Sequence, residues 1–152
     1  GVSSLGWDYY KALQANGAVA AGGNGAVLKS VASGEKAYGV VVDYMPIREK
    51  AKGAPVEFVF PEEGVSAVTE PVAILSTTKN EEAAKKFVDY VLSEKGQEGF
   101  LKLGYIPARN DMPVPEGFPA RDTIKVLPVD AAAALKATEG DLKTFSGIFG
   151  TN

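Results

Sequence analysis

The sequence has 152 residues, 45% apolar and 23% charged, with a net charge of −3. That is enough apolar chain for one core, which excludes a disordered tail, and the acidic balance excludes a binder of the nucleic-acid backbone. Histidine and cysteine are both absent. Disulfides, thiolate metal sites, cysteine nucleophiles and the histidine of a serine triad are therefore excluded, and no cofactor is expected.

Leu5, Tyr9 and Leu13 recur at helical spacing, so a helix is predicted from about Leu5 to Asn16, closed by Gly17. Trp7, Tyr9 and Tyr10 on this helix are read as packing residues that also have the shape to stack on a ligand. Ala18 to Ala21 reads as a short strand, and Gly22-Gly23-Asn24-Gly25 as a tight turn. A second helix is predicted from Ala26 to Ala32. Tyr38 to Val42 is an apolar run of strand length, which is how a strand buried on both faces looks. Strand, helix and strand at this spacing predict a βαβ unit. A short helix over Met45 to Lys52 and a strand over Val56 to Phe60 follow. Val65 to Leu75 reads as extended, interrupted by Pro71.

Asn80 is a predicted N-cap, with Glu81 and Glu82 in the first turn and i,i+4 pairs to Lys85 and Lys86. Ala84, Phe87, Val88, Val91 and Leu92 form that helix's apolar stripe. Another helix is predicted from Glu94 to Leu103. Beyond Gly104 the prolines predict irregular chain, then a strand over Ile124 to Leu127 and closing helices over 131–137 and 142–149.

The ordered set Gly23-Asn24-Gly25, Val42-Asp43-Tyr44, Phe60-Pro61-Glu62-Glu63-Gly64, Glu70-Pro71-Val72-Ala73-Ile74 and Gly104-Tyr105-Ile106-Pro107-Ala108-Arg109 resembles the C-terminal half of extracellular solute-binding proteins of ABC importers. The resemblance is to the class that takes iron(III), sugar phosphates or phosphonates. It implies an α/β fold, the second lobe and return segment of a two-lobed clamshell, with a parallel or mixed sheet flanked by helices. It divides the chain into a second-lobe βαβ portion (1–67), a crossing strand with helices that pack on an absent first lobe (68–110), and an irregular segment with closing helices (111–152). The chain is thus expected to be a piece of a longer precursor. It would be periplasmic or extracellular, with any lipoprotein anchor encoded upstream.

The expected partners are a small solute, the membrane permease and the N-terminal lobe, with no nucleic acid. Apolar surface around Val72, Ile74 and Phe87 is expected to drive self-association. An enzyme built on paired carboxylates such as Asp43 and Glu63 ranks last, because no nucleophile or base motif accompanies them. The effector domain of a transcription regulator, which shares the general architecture, is the alternative.

Ligands of open α/β sheets sit beyond the carboxyl ends of strands. Two candidates lie there. Asn24 and Gly25 open a helix where free N–H groups attract anions, and they also suit an ordinary turn. Asp43 and Tyr44 follow the predicted strand and suit either a cleft or a helix cap. Glu63 and Glu70 can accept hydrogen bonds from hydroxyls or an amine, Glu62 reads as a solvated turn charge, and Arg109 can clamp an anion. The resemblance makes Tyr44 a ferric-ion ligand if iron is the cargo. Met45 stands where a second tyrosine would, and a thioether suits a hard ion poorly. A polar solute with hydroxyls and a phosphate or phosphonate is therefore preferred.

Overall fold

Among the described residues six helices carry the architecture. They are α1 (Val2–Ala15), α2 (Asn24–Ala32), α3 (Tyr44–Ala51), α4 (Glu81–Leu92), α5 (Glu94–Lys102) and α6 (Ala131–Phe149), with a 3-10 turn at Arg121–Thr123. The computed structural model describes residues 2–67 and 69–151. Val68, where the expected crossing strand begins, lies outside the described residues.

Helix α1 bends at Gly6, whose φ of 69° is open to glycine. Helix α3 starts one residue earlier than predicted because Asp43 caps it and Pro46 occupies the first turn, where a missing N–H costs nothing. The two predicted closing helices are one, α6, which continues through Gly140. Asn80 holds the N-cap position of α4, but its side chain makes no cap bond. Lys85 instead joins both Glu81 (2.9 Å) and Glu82 (3.5 Å).

The sheet is a correction. Among the described residues there is no strand. Two predicted strands meet only at one parallel bridge, Val65 with Val126. The α/β expectation of a parallel or mixed sheet flanked by helices does not describe this chain, which is helical with extended connections. The reason is pairing. A strand's N–H and carbonyl groups need neighbours at about 4.8 Å, and two strands alone are marginal in water. Ala18–Ala21, Tyr38–Val42 and Val56–Phe60 have the composition of strands and no ladder to join.

The packing is accordingly open. The accessible surface is 11,492 Å², whereas a folded monomer of 15.9 kDa exposes about 7,400 Å². Among the described large hydrophobics only Val56 counts as core. Helix α4 packs on α5, and α1 on α6. Ser93 makes the α4–α5 corner: its hydroxyl donates to the Tyr90 carbonyl (2.6 Å) and accepts from the Gly96 N–H (3.1 Å). Gly96 is required there, since a Cβ would strike the Tyr90 carbonyl.

Residues 104–127 form a strap over these pieces. Gln97, only 4% exposed, donates to the Val91 carbonyl and accepts from the Ala108 N–H, both at 2.7 Å. Arg121 donates to the carbonyls of Pro107 (3.1 Å) and Arg109 (3.2 Å). Farther along, Gly117 lies against Ile47 of α3, Phe118 faces Phe60 at 6.2 Å between centroids, and the strap ends at the Val65–Val126 bridge, where each side accepts one N–H at 2.9 Å.

Candidate functional site

The first N–H groups of α2 have no side-chain acceptor, because the capping position is Gly23, with φ 109°. Asn24 turns its carbonyl oxygen elsewhere: it accepts from the Val42 N–H at 3.2 Å. That bond draws the Gly22–Gly25 turn beside the end of the 38–42 segment, next to Asp43. Asp43 Oδ1 accepts from the Tyr44 N–H at 2.8 Å and so fixes the start of α3.

Tyr44 is then enclosed from two sides. Arg48, one turn along α3, sets its guanidinium 5.7 Å from the ring centroid, a cation–π arrangement. Tyr105 stacks on the ring with centroids 4.4 Å apart and planes at 34°. The end of α5 aims Tyr105 there. Gly104, at φ 87°, lets its own N–H bond to Leu101 O (3.0 Å) while the Tyr105 N–H bonds to Phe100 O (3.1 Å), a left-handed helix stop. Phe100 braces the far edge of Tyr105 at 6.3 Å.

The Tyr105 phenol is pushed up to about 12. The largest cause is hydrogen bonding with the Tyr44 hydroxyl; partial burial and the charges of Tyr44 and Glu70 add to it, and Arg48 opposes. Glu70 is thus electrostatically part of this cluster. The site gathers two phenols, the Asp43 carboxylate, one guanidinium and an uncapped helix start.

Residues 1–134 match the sequence profile of the bacterial extracellular solute-binding protein family. The chain belongs to that family. Two proteins of Haemophilus influenzae are similar in part. One is an uncharacterized protein, 41% identical over 76 residues, covering 50% of this chain and 22% of its own length. The other is spermidine/putrescine-binding periplasmic protein 1, 35% identical over 86 residues, 50% of this chain and 24% of its own. The chain thus spans about a quarter or less of the curated relatives it matches. No solved structure matches it. Among the described residues no helix is long and apolar enough to cross a membrane.

Of the residues singled out in sequence, the family member brings Asn24, Gly25, Asp43 and Tyr44 into one neighbourhood. Glu63 is elsewhere. It sits exposed in the Pro61–Gly64 turn, whose neighbour is the strap, Lys125 donating to the Glu62 carbonyl at 3.3 Å. No described hydrogen bond or ion pair joins Glu63 to Asp43. Arg109 forms a two-point ion pair with Asp111, at 3.0 and 2.5 Å, which raises the guanidinium and lowers the Asp111 carboxyl. Tyr105 and Arg48 were missed in sequence. The Arg48 signal was the i,i+4 spacing from Tyr44, and the Tyr105 signal was a Gly-aromatic pair closing a helix.

A larger open concavity, about 600 Å³, lies at the start of α4 between Lys79, Asn80, Glu82 and Lys86. It holds none of the residues of the tyrosine cluster and mixes both charge signs at solvent. Among the described residues no group of three or more carboxylates is placed to hold a metal ion.

Proposed function

We propose that this chain supplies one solute-contacting wall of an importer's binding protein. The whole protein captures a small polar solute outside the cytoplasm and hands it to a membrane permease, without chemical turnover. The supporting observation is the Asn24–Val42 hydrogen bond, which sets an uncapped helix start beside Asp43 and Tyr44. Free N–H groups at a helix start attract an anion, and an adjacent carboxylate and phenol accept and donate to hydroxyls. A phosphorylated polyol or a phosphonate has both features. Asn24, Gly25, Asp43 and Tyr44 are the proposed contacts, joined by Tyr105 and Arg48, with Glu63 less well placed than the sequence suggested.

A second reading has its own support. One relative's name is that of a spermidine/putrescine binder, and Asp43, Glu70 and two phenols form a surface that also suits an ammonium group. Ferric ion has the least support. Tyr105 holds its proton up to about 12, and Met45 stands beside Tyr44 where a second hard oxygen ligand would be needed.

Calorimetric titration with glucose 6-phosphate, 2-aminoethylphosphonate, spermidine and ferric citrate tests this reading. Heat from a phosphorylated probe, lost in Asp43→Ala, is expected. Heat from spermidine alone would move the assignment to the amine.

A further inference from the structure

We propose that Gln97 is a positioning residue for the solute wall: by clamping the strap at Ala108 it seats Tyr105 on Tyr44, and so sets solute affinity without touching solute. The inference rests on the reading of Tyr44 as a solute contact.

Gln97 is out of character for so open a chain. Among the described residues it is the polar side chain that counts as buried. A buried amide is costly unless its hydrogen bonds are made. Both ends of this one are used, Nε2 on the Val91 carbonyl and Oε1 on the Ala108 N–H. Helix α5 does not need them. The Gln97 backbone N–H already bonds to the Ser93 carbonyl at 2.9 Å, and the Ser93 side chain caps the helix. What the side chain adds is a tie from the α4–α5 corner to the strap.

That tie falls three residues beyond Tyr105. Between the two, Pro107 is fully buried, and its ring removes one soft torsion from the stretch. Arg121 holds the same stretch through the carbonyls of Pro107 and Arg109. At the other end the Gly104 stop brings the backbone so near α3 that a Cβ on Gly104 would lie 3.8 Å from the Tyr44 Cβ. The chain from 104 to 109 is thus pinned at both ends, and what it presents to α3 is the Tyr105 ring.

Tyr44 has need of that ring. Asp43 fixes its backbone N–H and leaves the side chain to others. Arg48, on the other side, is itself exposed. A side chain that must be ordered when solute arrives weakens binding, and one ordered beforehand does not. The coupling is reciprocal, so bound solute should also tighten the strap.

The probe for calorimetry is whichever of glucose 6-phosphate, 2-aminoethylphosphonate and spermidine gives heat with the unaltered chain. Gln97→Met keeps the length and bulk of the side chain and removes its donor and acceptor. It should weaken binding about tenfold, within the range of ordinary coupling between sites. Tyr105→Ala should weaken it as much, and the double variant no more than either alone. The spectroscopic signature is the ring-current shift that Tyr105 imposes on the Tyr44 ring in proton NMR. In Gln97→Met the Tyr44 resonances should move most of the way to their positions in Tyr105→Ala. If Gln97→Met loses its helical circular dichroism, Arg121→Met, which loosens the same stretch without altering α5, takes its place with the same expectations. Tyr44 resonances that stay where they were would overturn the proposal, as would losses that multiply in the double variant. No heat from any probe would instead refute the solute reading; the NMR comparison needs no solute, so the two failures are told apart.

Discussion

Removing the Gln97 side chain should be disproportionately costly for a surface this open. The buried Gln97 side chain satisfies two part-buried backbone groups at once, the Val91 carbonyl and the Ala108 N–H, each at 2.7 Å. Gln97→Ala deletes both bonds and leaves both groups unpaired. A fully buried orphan costs about 1–3 kcal/mol, and with both groups only part-buried a total of about 2–4 kcal/mol is expected. At about 2–4 °C per kcal/mol for a chain of this size, the melting temperature should fall by about 5–15 °C. Scanning calorimetry reads the melting shift. Amide hydrogen exchange gives the local signature: the Ala108 N–H should lose its protection while amides of α6 keep theirs. A loss below about 0.5 kcal/mol with Ala108 still protected would refute the reasoning, since it would mean that the strap is held without this anchor.

Tyrosine absorbance at high pH should show one late-titrating phenol. Tyr105 should ionise near 12, and Tyr44→Phe should bring it down, because the hydrogen bond that is the largest single cause of the rise is gone. The same shift sets a pH window for stability. The folded-state phenol lies above the usual value of about 10, so its contribution is intact below 10 and is lost as pH climbs through about 12. Gly64→Ala places a side chain at φ 118°, with a Cβ 3.0 Å from the Lys125 carbonyl. It should cost about 1–3 kcal/mol and expose the Val65 and Leu127 amides to exchange. Ser93→Ala removes the α5 cap and should cost about 0.5–2 kcal/mol, measured by urea unfolding.

The helices were legible because each carried its own instructions. Asp130 accepts from the Ala133 N–H at 3.0 Å to start α6, and Gly150, left-handed at φ 67°, ends it. Composition misled for Tyr38–Val42 and Val56–Phe60. Branched apolar residues encode a willingness to pair, but pairing depends on a neighbour that composition does not name. The site was half legible for a similar reason. Asn24 and Asp43 sit at local turns that motif spacing reveals. Tyr105 reaches Tyr44 only through the direction in which α5 stops, a property of backbone angle at Gly104. Glu63 looked equivalent to Glu70 in sequence, and long-range placement alone separates them.

The strap carries a kinetic consequence. Its outer anchor joins positions 63 residues apart, Lys125 to the Glu62 carbonyl, and it has nowhere to seat until α3 and the α4–α5 corner already exist. Closing so long a loop is slow compared with forming the helices. The helical signal should therefore recover early during refolding and the Tyr44–Tyr105 stack late. For that interval the proposed solute wall is chemically complete and geometrically unassembled.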